Sequence, residues 1–249
     1  MVSSELKQRY NTLDILRALA IIAMVIYHTL WDLVYVFSVD IPWFYSKSAG
    51  VFQLSIRWSF ILISGFCWQL GSRKIRRALI VLSGAVIIYA STALFMSDGI
   101  MHGILTLIGL SALISVPLQK LFLKFPPFLG LFICFLLFFV TYDVELGRLG
   151  AGSLVICRLP DFLYANNITA VFGFCPRDFF SSDYVPLFPW MFLYWSGIFI
   201  FSIFKKYDLL KFLSSLKCPP LEWLGRHSLI IYLAHQPIIY GVLYLIFGI

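Results

Sequence analysis

The chain has 249 residues, of which 61% are hydrophobic, 18% aromatic and only 12% charged. A water-soluble domain of this length needs more polar surface than such a composition supplies. The composition therefore predicts an integral membrane protein, organised as one domain over residues 1–249. The net charge of +7 does not indicate a nucleic-acid partner, because the basic residues are not massed on a soluble surface.

Apolar segments of membrane-spanning length recur along the whole chain. They predict an all-α transmembrane bundle of about seven spans, at roughly 13–37, 50–70, 78–96, 102–119, 126–142, 186–204 and 221–247. The first segment is longer than a signal-peptide core and no small-residue cleavage pattern follows it. We therefore expect it to be retained as a helix.

Basic residues mark every second connection between the predicted spans. Twelve of the 19 Lys and Arg residues share one predicted face: Lys7, Arg9, Arg73, Lys74, Arg76, Arg77, Lys120, Lys124, Lys205, Lys206, Lys211 and Lys217. Cytoplasmic connections carry an excess of Lys and Arg, so this face is predicted to be cytoplasmic. With seven spans, the N-terminus is then cytoplasmic and the C-terminus extracytoplasmic, in a cell inner or plasma membrane.

The first span carries ionisable residues at both ends of an uncharged stretch, residues 18–27. Arg17 and His28 are eleven positions apart, which places them on one helix face roughly 16 Å from each other. Asp32 follows His28 by one turn, so it could accept a hydrogen bond from the imidazole and orient it as a base or nucleophile. Arg17 could pair with Asp14 or bind a phosphate-bearing ligand. In the alternative interpretation these groups reach toward water and pair with whatever is near.

Two further spans contain polar groups that are expensive to bury in a membrane. Arg57 lies within the second span and is a candidate cavity residue. Asp98, His102 and Thr106 follow each other in steps of four, which predicts that they share one face at the start of the fourth span. A structural, hydrogen-bonded role for His102 is the alternative.

The longest polar interval, about 141–185, is predicted to be an extracytoplasmic loop between spans five and six. Its many aromatic residues favour a lid over the mouth of the bundle, with a short helix or a re-entrant segment, or else a loop lying at the lipid interface. Cys157 and Cys175 share this loop, so a disulfide between them is one hypothesis. The five cysteines show no zinc-binding spacing, and we predict no metal site.

The last predicted span is interrupted by polar residues: Glu222, Arg226, His227, Ser228, His235 and Gln236. Pro237 follows them directly and removes a backbone donor. We therefore predict a break in this helix beside His235 and Gln236, where a pocket would expose polar groups.

Five motifs together resemble one family of membrane enzymes. They are LDILRALAIIAMVIYH, FILISGFCW, GILTLIGLS, DYVPLFPWMFLYWSGIF and, most specifically, LGRHSLIIYLAHQP. The chain resembles, from about Leu13 onward, the bacterial membrane proteins related to the catalytic region of heparan-alpha-glucosaminide N-acetyltransferase. The resemblance implies transfer of an acyl group, most often acetyl from cytoplasmic acetyl-CoA, to a sugar or glycan acceptor on the extracytoplasmic side.

The resemblance also implies roles for individual residues. His28 would be the catalytic imidazole, Arg17 a cofactor-side residue, Arg226, His235 and Gln236 part of the pocket wall, and Asp183 and Tyr184 part of the acceptor-side entrance. Combined with the spacing arguments above, this gives His28 and Asp32 as the predicted catalytic residues and Arg17, Arg57 and Arg226 as the predicted cofactor-binding residues. The predicted substrate-binding residues are His102, Asp183, Tyr184, His235 and Gln236. This chain departs from the family where relatives commonly read GILH, because it reads GILT, with Thr106 at the histidine position. Either His102 substitutes from the adjacent turn or the second histidine is dispensable.

Two other classes of function remain open on sequence alone. A proton-coupled transporter or channel could use the same file of Arg, His and Asp side chains inside the spans. Against it, the two halves of the chain show no internal repeat. A non-catalytic scaffold would leave the intramembrane ionisable groups without a purpose.

Overall fold

The computed structural model describes residues 10–95, 99–176, 178–179, 181 and 183–248. Of the residues used above, Lys7, Arg9 and Asp98 lie outside this part of the chain. Helices dominate: α1 (Asn11–Tyr35), α2 (Lys47–Trp68), α3 (Lys74–Phe95), α4 (Ile104–Ile114), α5 (Gln119–Lys124), α6 (Pro127–Val140), α7 (Leu187–Lys206), α8 (Pro219–Arg226) and α9 (Ser228–Phe247). Two short strands, β1 (Arg148–Ala151) and β2 (Leu154–Arg158), lie between α6 and α7.

The predicted all-α membrane bundle is confirmed. In the described part of the chain, six helical segments are long and apolar enough to cross a bilayer: α1, α2, α3, α6 together with the turns that extend it to Leu146, α7 and α9. The fourth predicted span is the short apolar helix α4, whose 11 residues cover only about half of a hydrocarbon core. Large apolar side chains are exposed on these helices, for example Leu94 at 81% and Leu245 at 84%, as expected for surfaces that face lipid.

The last predicted span differs from the prediction in two ways. It consists of two helices, because α8 ends at Arg226 and α9 begins at Ser228. The N–H of His227 donates to the carbonyls of Trp223 and Leu224, which closes α8 before the chain continues. The predicted break at Pro237 is wrong, since this proline lies inside the continuous helix α9.

The structure divides into two compact units, residues 1–63 with 204–249 and residues 64–203. We call them unit 1 and unit 2, and the prediction of a single domain stays a prediction. In unit 1, α1 packs against α8 and α9. Ile21 and Met24 of α1 pack with Ile56 of α2, and Phe37 packs with α9.

A close backbone contact joins α8 to α1 in unit 1. A Cβ atom placed on Gly225 would lie 1.8 Å from the backbone oxygen of Asp14. Real Cβ atoms do not approach a backbone atom so closely, so only glycine permits this spacing of the two helices. The contact fixes α8 beside the first turns of α1.

Unit 2 contains its own tight helix contacts. A Cβ on Gly65 of α2 would lie 1.9 Å from the backbone oxygen of Tyr194 in α7. The indole N–H of Trp68 donates to the carbonyl oxygen of Ala112 at 3.1 Å, and that of Trp195 donates to Ser115 Oγ at 3.0 Å. These bonds join α2 and α7 to α4 and the residue that follows it.

The long connection between α6 and α7 folds as a β-hairpin followed by short turns. Strands β1 and β2 pair antiparallel, with Arg148 opposite Arg158 and Leu149 opposite Cys157. After the hairpin, the described residues of this connection form 3₁₀ turns at Asp161–Tyr164 and Thr169–Phe172. The disulfide hypothesis is not supported, because Cys157 is an exposed free thiol on β2 and Cys175 is a half-buried free thiol.

Candidate active site

Two histidines predicted to act in the site contact each other in unit 1. The rings of His28 on α1 and His235 on α9 have centroids 4.9 Å apart, at an interplanar angle of 59°. Nδ1 of His235 is within hydrogen-bond distance of the Tyr232 carbonyl, which fixes the direction of that ring. The sequence predicted both residues for the site without predicting that they touch.

Asp32 and Gln236 form the second contact between α1 and α9. The Gln236 side-chain amide donates from Nε2 to Asp32 Oδ1 at 2.8 Å. Asp32 is completely buried, at 0% exposure. A buried carboxylate requires donors, so this amide is an essential part of its environment.

We call His28, Asp32, His235 and Gln236 the α1–α9 polar cluster. The positions within each helix explain how it forms. His28 and Asp32 are four residues apart on α1, and His235 and Gln236 are consecutive on α9, so each helix supplies one imidazole and one amide or carboxylate group. Where the two helices touch, the imidazole of His28 contacts that of His235, and the amide of Gln236 donates a hydrogen bond to the carboxylate of Asp32.

One predicted bond is replaced. The sequence suggested that Asp32 accepts a hydrogen bond from His28 one turn away. In the structure the carboxylate instead accepts from Gln236, on a helix 204 positions later. Asp32 therefore orients the amide of α9, and the ring of His28 contacts the rings of Tyr27 and His235.

Two buried acceptor atoms of the cluster lack a partner among the described residues: Asp32 Oδ2 and Gln236 Oε1. Both atoms are oxygens that accept hydrogen bonds, so only a hydrogen-bond donor can satisfy them. A hydroxyl or amino group of a bound molecule would satisfy them, whereas a carbonyl group would not. This chemistry fits an acceptor molecule that carries O–H or N–H groups.

Arg17 and Arg226 lie toward the other end of α1. Arg17 Nη1 forms an ion pair with Asp14 Oδ1 at 2.9 Å, one of the two alternatives considered for this residue. Asp14 is also the residue whose backbone contacts Gly225, the neighbour of Arg226. Arg226 is exposed, and its Nε donates to the Glu222 carbonyl at 2.9 Å. Each guanidinium group thus bonds within its own helix, Arg17 on α1 and Arg226 on α8, near the place where the two helices touch.

Arg57, the third residue predicted for the cofactor side, is half-buried in α2. Its neighbour Ile56 packs with Ile21 and Met24 of α1. The sequence made Arg57 a candidate cavity residue, because a cation within an apolar span is costly. Its ligand role stays a prediction.

The remaining predicted residues, His102, Asp183 and Tyr184, come together in unit 2. A Cβ on Gly103 would lie 3.6 Å from Asp183 Oδ2, which places that carboxylate beside the turn containing His102. The backbone carbonyl of His102 accepts from Val185 N at 2.9 Å. The Tyr184 hydroxyl donates to the Ala170 carbonyl. We call this group the His102 cluster.

The prediction that His102 shares a helical face with Thr106 is wrong. Helix α4 begins only at Ile104, with Gly103 as its N-cap, and His102 has a φ of 55°. This left-handed conformation is uncommon for a residue other than glycine, so the surrounding turn must hold it. The imidazole stacks on Phe179, with centroids 6.3 Å apart, and burial lowers the pKa of His102 below its usual value.

Two contacts of the His102 cluster were missed by sequence reasoning. Ser181 Oγ donates to the Met101 carbonyl at 2.8 Å, and the rings of Phe179 and Tyr184 lie 5.0 Å apart. The aromatic content of the long loop was the available signal, but it does not specify partners. Among the described residues, no group of three or more His, Cys, Asp or Glu side chains converges as metal ligands would.

Comparison with known proteins identifies the family of this chain. The family model described as heparan-alpha-glucosaminide N-acetyltransferase, catalytic, matches residues 9–237. Neither the comparison with curated proteins nor the comparison with solved structures found a match. The matched range runs from α1 to Pro237, which lies midway along α9, and it includes every residue of the α1–α9 polar cluster. The chain therefore belongs to the family of heparan-alpha-glucosaminide N-acetyltransferase catalytic domains.

Proposed function

We propose that the protein is a membrane acetyltransferase that moves acetyl from cytoplasmic acetyl-CoA to a sugar or glycan acceptor on the extracytoplasmic side. The observation that carries this proposal is the α1–α9 polar cluster. It combines an imidazole pair with two buried oxygens that call for hydrogen-bond donors. Family membership supplies the reaction class, and the cluster supplies groups suited to it.

His28 is the proposed reacting group. Two imidazoles in contact repel each other if both are protonated, so their contact disfavours a doubly charged pair. A neutral imidazole can remove a proton from an acceptor hydroxyl or amine, or can attack a thioester itself. His235 is the proposed partner that stabilises the proton or orients the ring.

Asp32 and Gln236 are the proposed acceptor-binding groups. Their unpartnered oxygens would accept hydrogen bonds from a sugar O–H or N–H, and the bond between them holds both side chains in place. A fixed orientation matters because acetyl transfer requires the acceptor atom within about 3–3.5 Å of the thioester carbonyl carbon. His102, Asp183 and Tyr184 remain proposed acceptor-side residues in unit 2.

Two routes of transfer are compatible with these groups. In the first, a ring nitrogen of His28 bonds to the acetyl carbon, the carbon–sulfur bond breaks, and the thiolate leaves and takes up a proton. The acceptor then displaces the imidazole. In the second, His28 removes the acceptor's proton while the acceptor attacks the thioester directly, and the thiolate again leaves.

The donor would approach from the face that carries most of the Lys and Arg residues. Arg17, Arg57 and Arg226 are the proposed contacts for its phosphates, because guanidinium groups bind phosphate oxygens with two parallel hydrogen bonds. The structure already pairs Arg17 with Asp14, so donor binding would compete with that ion pair. The orientation of the chain, with a cytoplasmic N-terminus, remains part of the proposal.

The test is acetyl-CoA turnover by the purified protein in detergent or nanodiscs, with a panel of hydroxyl- and amine-bearing sugars. We expect His28→Ala to abolish release of coenzyme A while coenzyme A still stabilises the protein against heat. The matched control is Ile26→Ala, since Ile26 lies on the same helix with 49% exposure. Wild-type protein that neither turns over acetyl-CoA nor is stabilised by coenzyme A would contradict the proposal and favour a transporter.

The two routes are separated by a single-turnover experiment. Acetyl-labelled donor is added without acceptor, and the protein is examined for bound label by mass spectrometry. Label on His28 that transfers to added sugar supports the acyl-histidine route. Absence of label, with turnover only when donor and acceptor are both bound, supports direct transfer.

A further inference from the structure

A basic cavity lies at the turn between α2 and α3 in unit 2, and the acetyl-transfer chemistry makes no use of it. Its volume is about 490 Å³, within the usual range for small-molecule sites. Its lining includes three basic residues, Arg73, Lys74 and Arg76, and the amides of Gln69 and Gln119. No acidic side chain is among the described residues that line it. We call it the α2–α3 cavity.

The start of α3 contributes backbone donors to this cavity. Lys74, Ile75 and Arg76 form the first turn of the 22-residue helix, and all three line the cavity. The N–H groups of a first turn have no carbonyl partner within their own helix, and the helix dipole makes this end attractive to anions. The first turn also contains no acidic residue that would neutralise it.

Two side chains are arranged as for a ligand. Gln69 lines the cavity, and its buried Nε2 has no hydrogen-bond partner among the described residues, so a rotation of this side chain would bring an amide donor to a ligand. Lys74 Nζ lies 3.7 Å from the centre of the Trp68 ring, which holds the ammonium group in one place. Trp68 is fixed in turn by its bond to the Ala112 carbonyl.

We propose that the α2–α3 cavity binds a phosphate or diphosphate group. Three cations, an unpartnered amide donor and a helix N-terminus around one concavity exceed what a single carboxylate could satisfy, whereas the several oxygens of a diphosphate could engage all of them. A general excess of cytoplasmic cations explains the charge but not the buried amide donor. The phosphate could belong to a soluble nucleotide-like molecule or to the headgroup of an anionic lipid.

The experiment measures binding of sodium pyrophosphate by isothermal titration calorimetry, with the full chain in nanodiscs of zwitterionic lipid. We expect saturable binding that weakens as sodium chloride is added, because the contacts are electrostatic. Lys74→Gln and Arg76→Gln should each weaken binding by roughly tenfold, the usual effect of losing one charge-assisted hydrogen bond. The matched control is Lys124→Gln, an exposed cation of α5 outside the cavity, which should change binding less than twofold, roughly.

The source of the phosphate is identified by competition. Displacement of pyrophosphate by coenzyme A, and less well by dephospho-coenzyme A, assigns the cavity to a soluble phosphate-bearing molecule. Loss of pyrophosphate binding in nanodiscs of phosphatidylglycerol assigns it to a lipid headgroup. Either result supports a phosphate site, and neither requires acetyl transfer, so failure of the proposed activity leaves this proposal intact.

Two results would overturn the proposal. One is the absence of saturable pyrophosphate binding to wild-type protein in zwitterionic nanodiscs. The other is an equal loss of binding in the Lys124→Gln control, which would indicate diffuse surface charge. If Lys74→Gln does not yield a monodisperse protein because its contact with Trp68 is lost, Arg73→Gln provides the same test at an exposed position.

Discussion

Replacing Gln236 by leucine removes the donor that the Asp32 carboxylate uses in unit 1. Asp32 is at 0% exposure, and its Oδ2 already lacks a partner among the described residues, so Gln236→Leu leaves neither oxygen bonded within this cluster. A hydrogen bond to a charged group contributes about 1.5–3 kcal/mol. We therefore expect the free energy of unfolding to fall by about this amount.

The measurement is reversible unfolding in mixed detergent micelles, followed by circular dichroism. Gln53→Leu makes the same chemical change at an exposed position of α2 and should stay within about 0.5 kcal/mol of wild type. Asp32→Asn combined with Gln236→Leu completes a double-mutant cycle. Because the two side chains are 2.8 Å apart, the cycle should show a coupling of at least about 1 kcal/mol.

A Gln236→Leu variant as stable as Gln53→Leu, or a cycle in which the two changes are additive, would refute this reasoning. Either outcome would mean that the bond between α1 and α9 does not determine the state of the carboxylate. The same variants also test the proposed function. If the pair orients the acceptor, Gln236→Leu should raise KM for the sugar while binding of coenzyme A is retained.

Three further predictions follow from other parts of the structure. Burial lowers the pKa of His102 below 6.5 in the folded protein, so as the pH falls the unfolded state takes up a proton on this residue before the folded state does. The free energy of unfolding therefore decreases as the pH falls below 6.5. The thermal midpoint of His102→Gln should depend less on pH over this range than that of the wild type. In intact cells, a membrane-impermeant maleimide should label Cys157, which is exposed on β2, and should reach Cys218 only after permeabilisation. Gly225→Ala should lower the free energy of unfolding by about 1–3 kcal/mol through its clash with the α1 backbone.

Each of these three has its own control and its own contrary result. An unchanged pH dependence in His102→Gln would mean that another group controls acid stability. Labelling of Cys218 before permeabilisation would reverse the predicted orientation of the chain. Gly241→Ala is the control for Gly225, because no atom lies within 4 Å of an added Cβ there, and equal effects of the two changes would contradict the close-contact argument.

The helices were predictable from the sequence because their signal is local. Long apolar runs require a membrane, and the first predicted span, 13–37, agrees with α1 at Asn11–Tyr35 within two residues at each end. The same reasoning failed at His227, because the apolar character of 221–247 as a whole hides the short polar helix α8 before the apolar helix α9. It also overestimated the effect of Pro237 on the helix. The missing N–H of this proline removes one hydrogen bond, and α9 continues through it.

The β-hairpin could have been predicted in part. Gly150 and Gly152 precede Val155 and Ile156, which is a turn signal followed by β-branched residues. The aromatic richness of the surrounding loop favoured a helical or re-entrant segment instead. Hairpin formation also depends on Gly150, whose φ of 133° is unfavourable for other residues.

The candidate site was predictable by residue type but not by pairing. His28, Asp32, His235 and Gln236 were all identified as ionisable or polar groups inside apolar segments. Their partners depend on which helices touch, and Gln236 is 204 positions from Asp32. Spacing within one helix favoured His28 as the partner of Asp32, because a single sequence shows only neighbours along the same helix.

The junction at His227 separates the two ends of the last segment mechanically. Arg226 sits on an eight-residue helix anchored to α1 through Gly225, while His235 sits on a different helix. Because His227 is not helical, the angle between α8 and α9 can change slightly at this residue, which a single continuous helix would not allow. Substitutions at the Arg226 end of the segment should therefore leave the geometry of the imidazole pair at the other end unchanged.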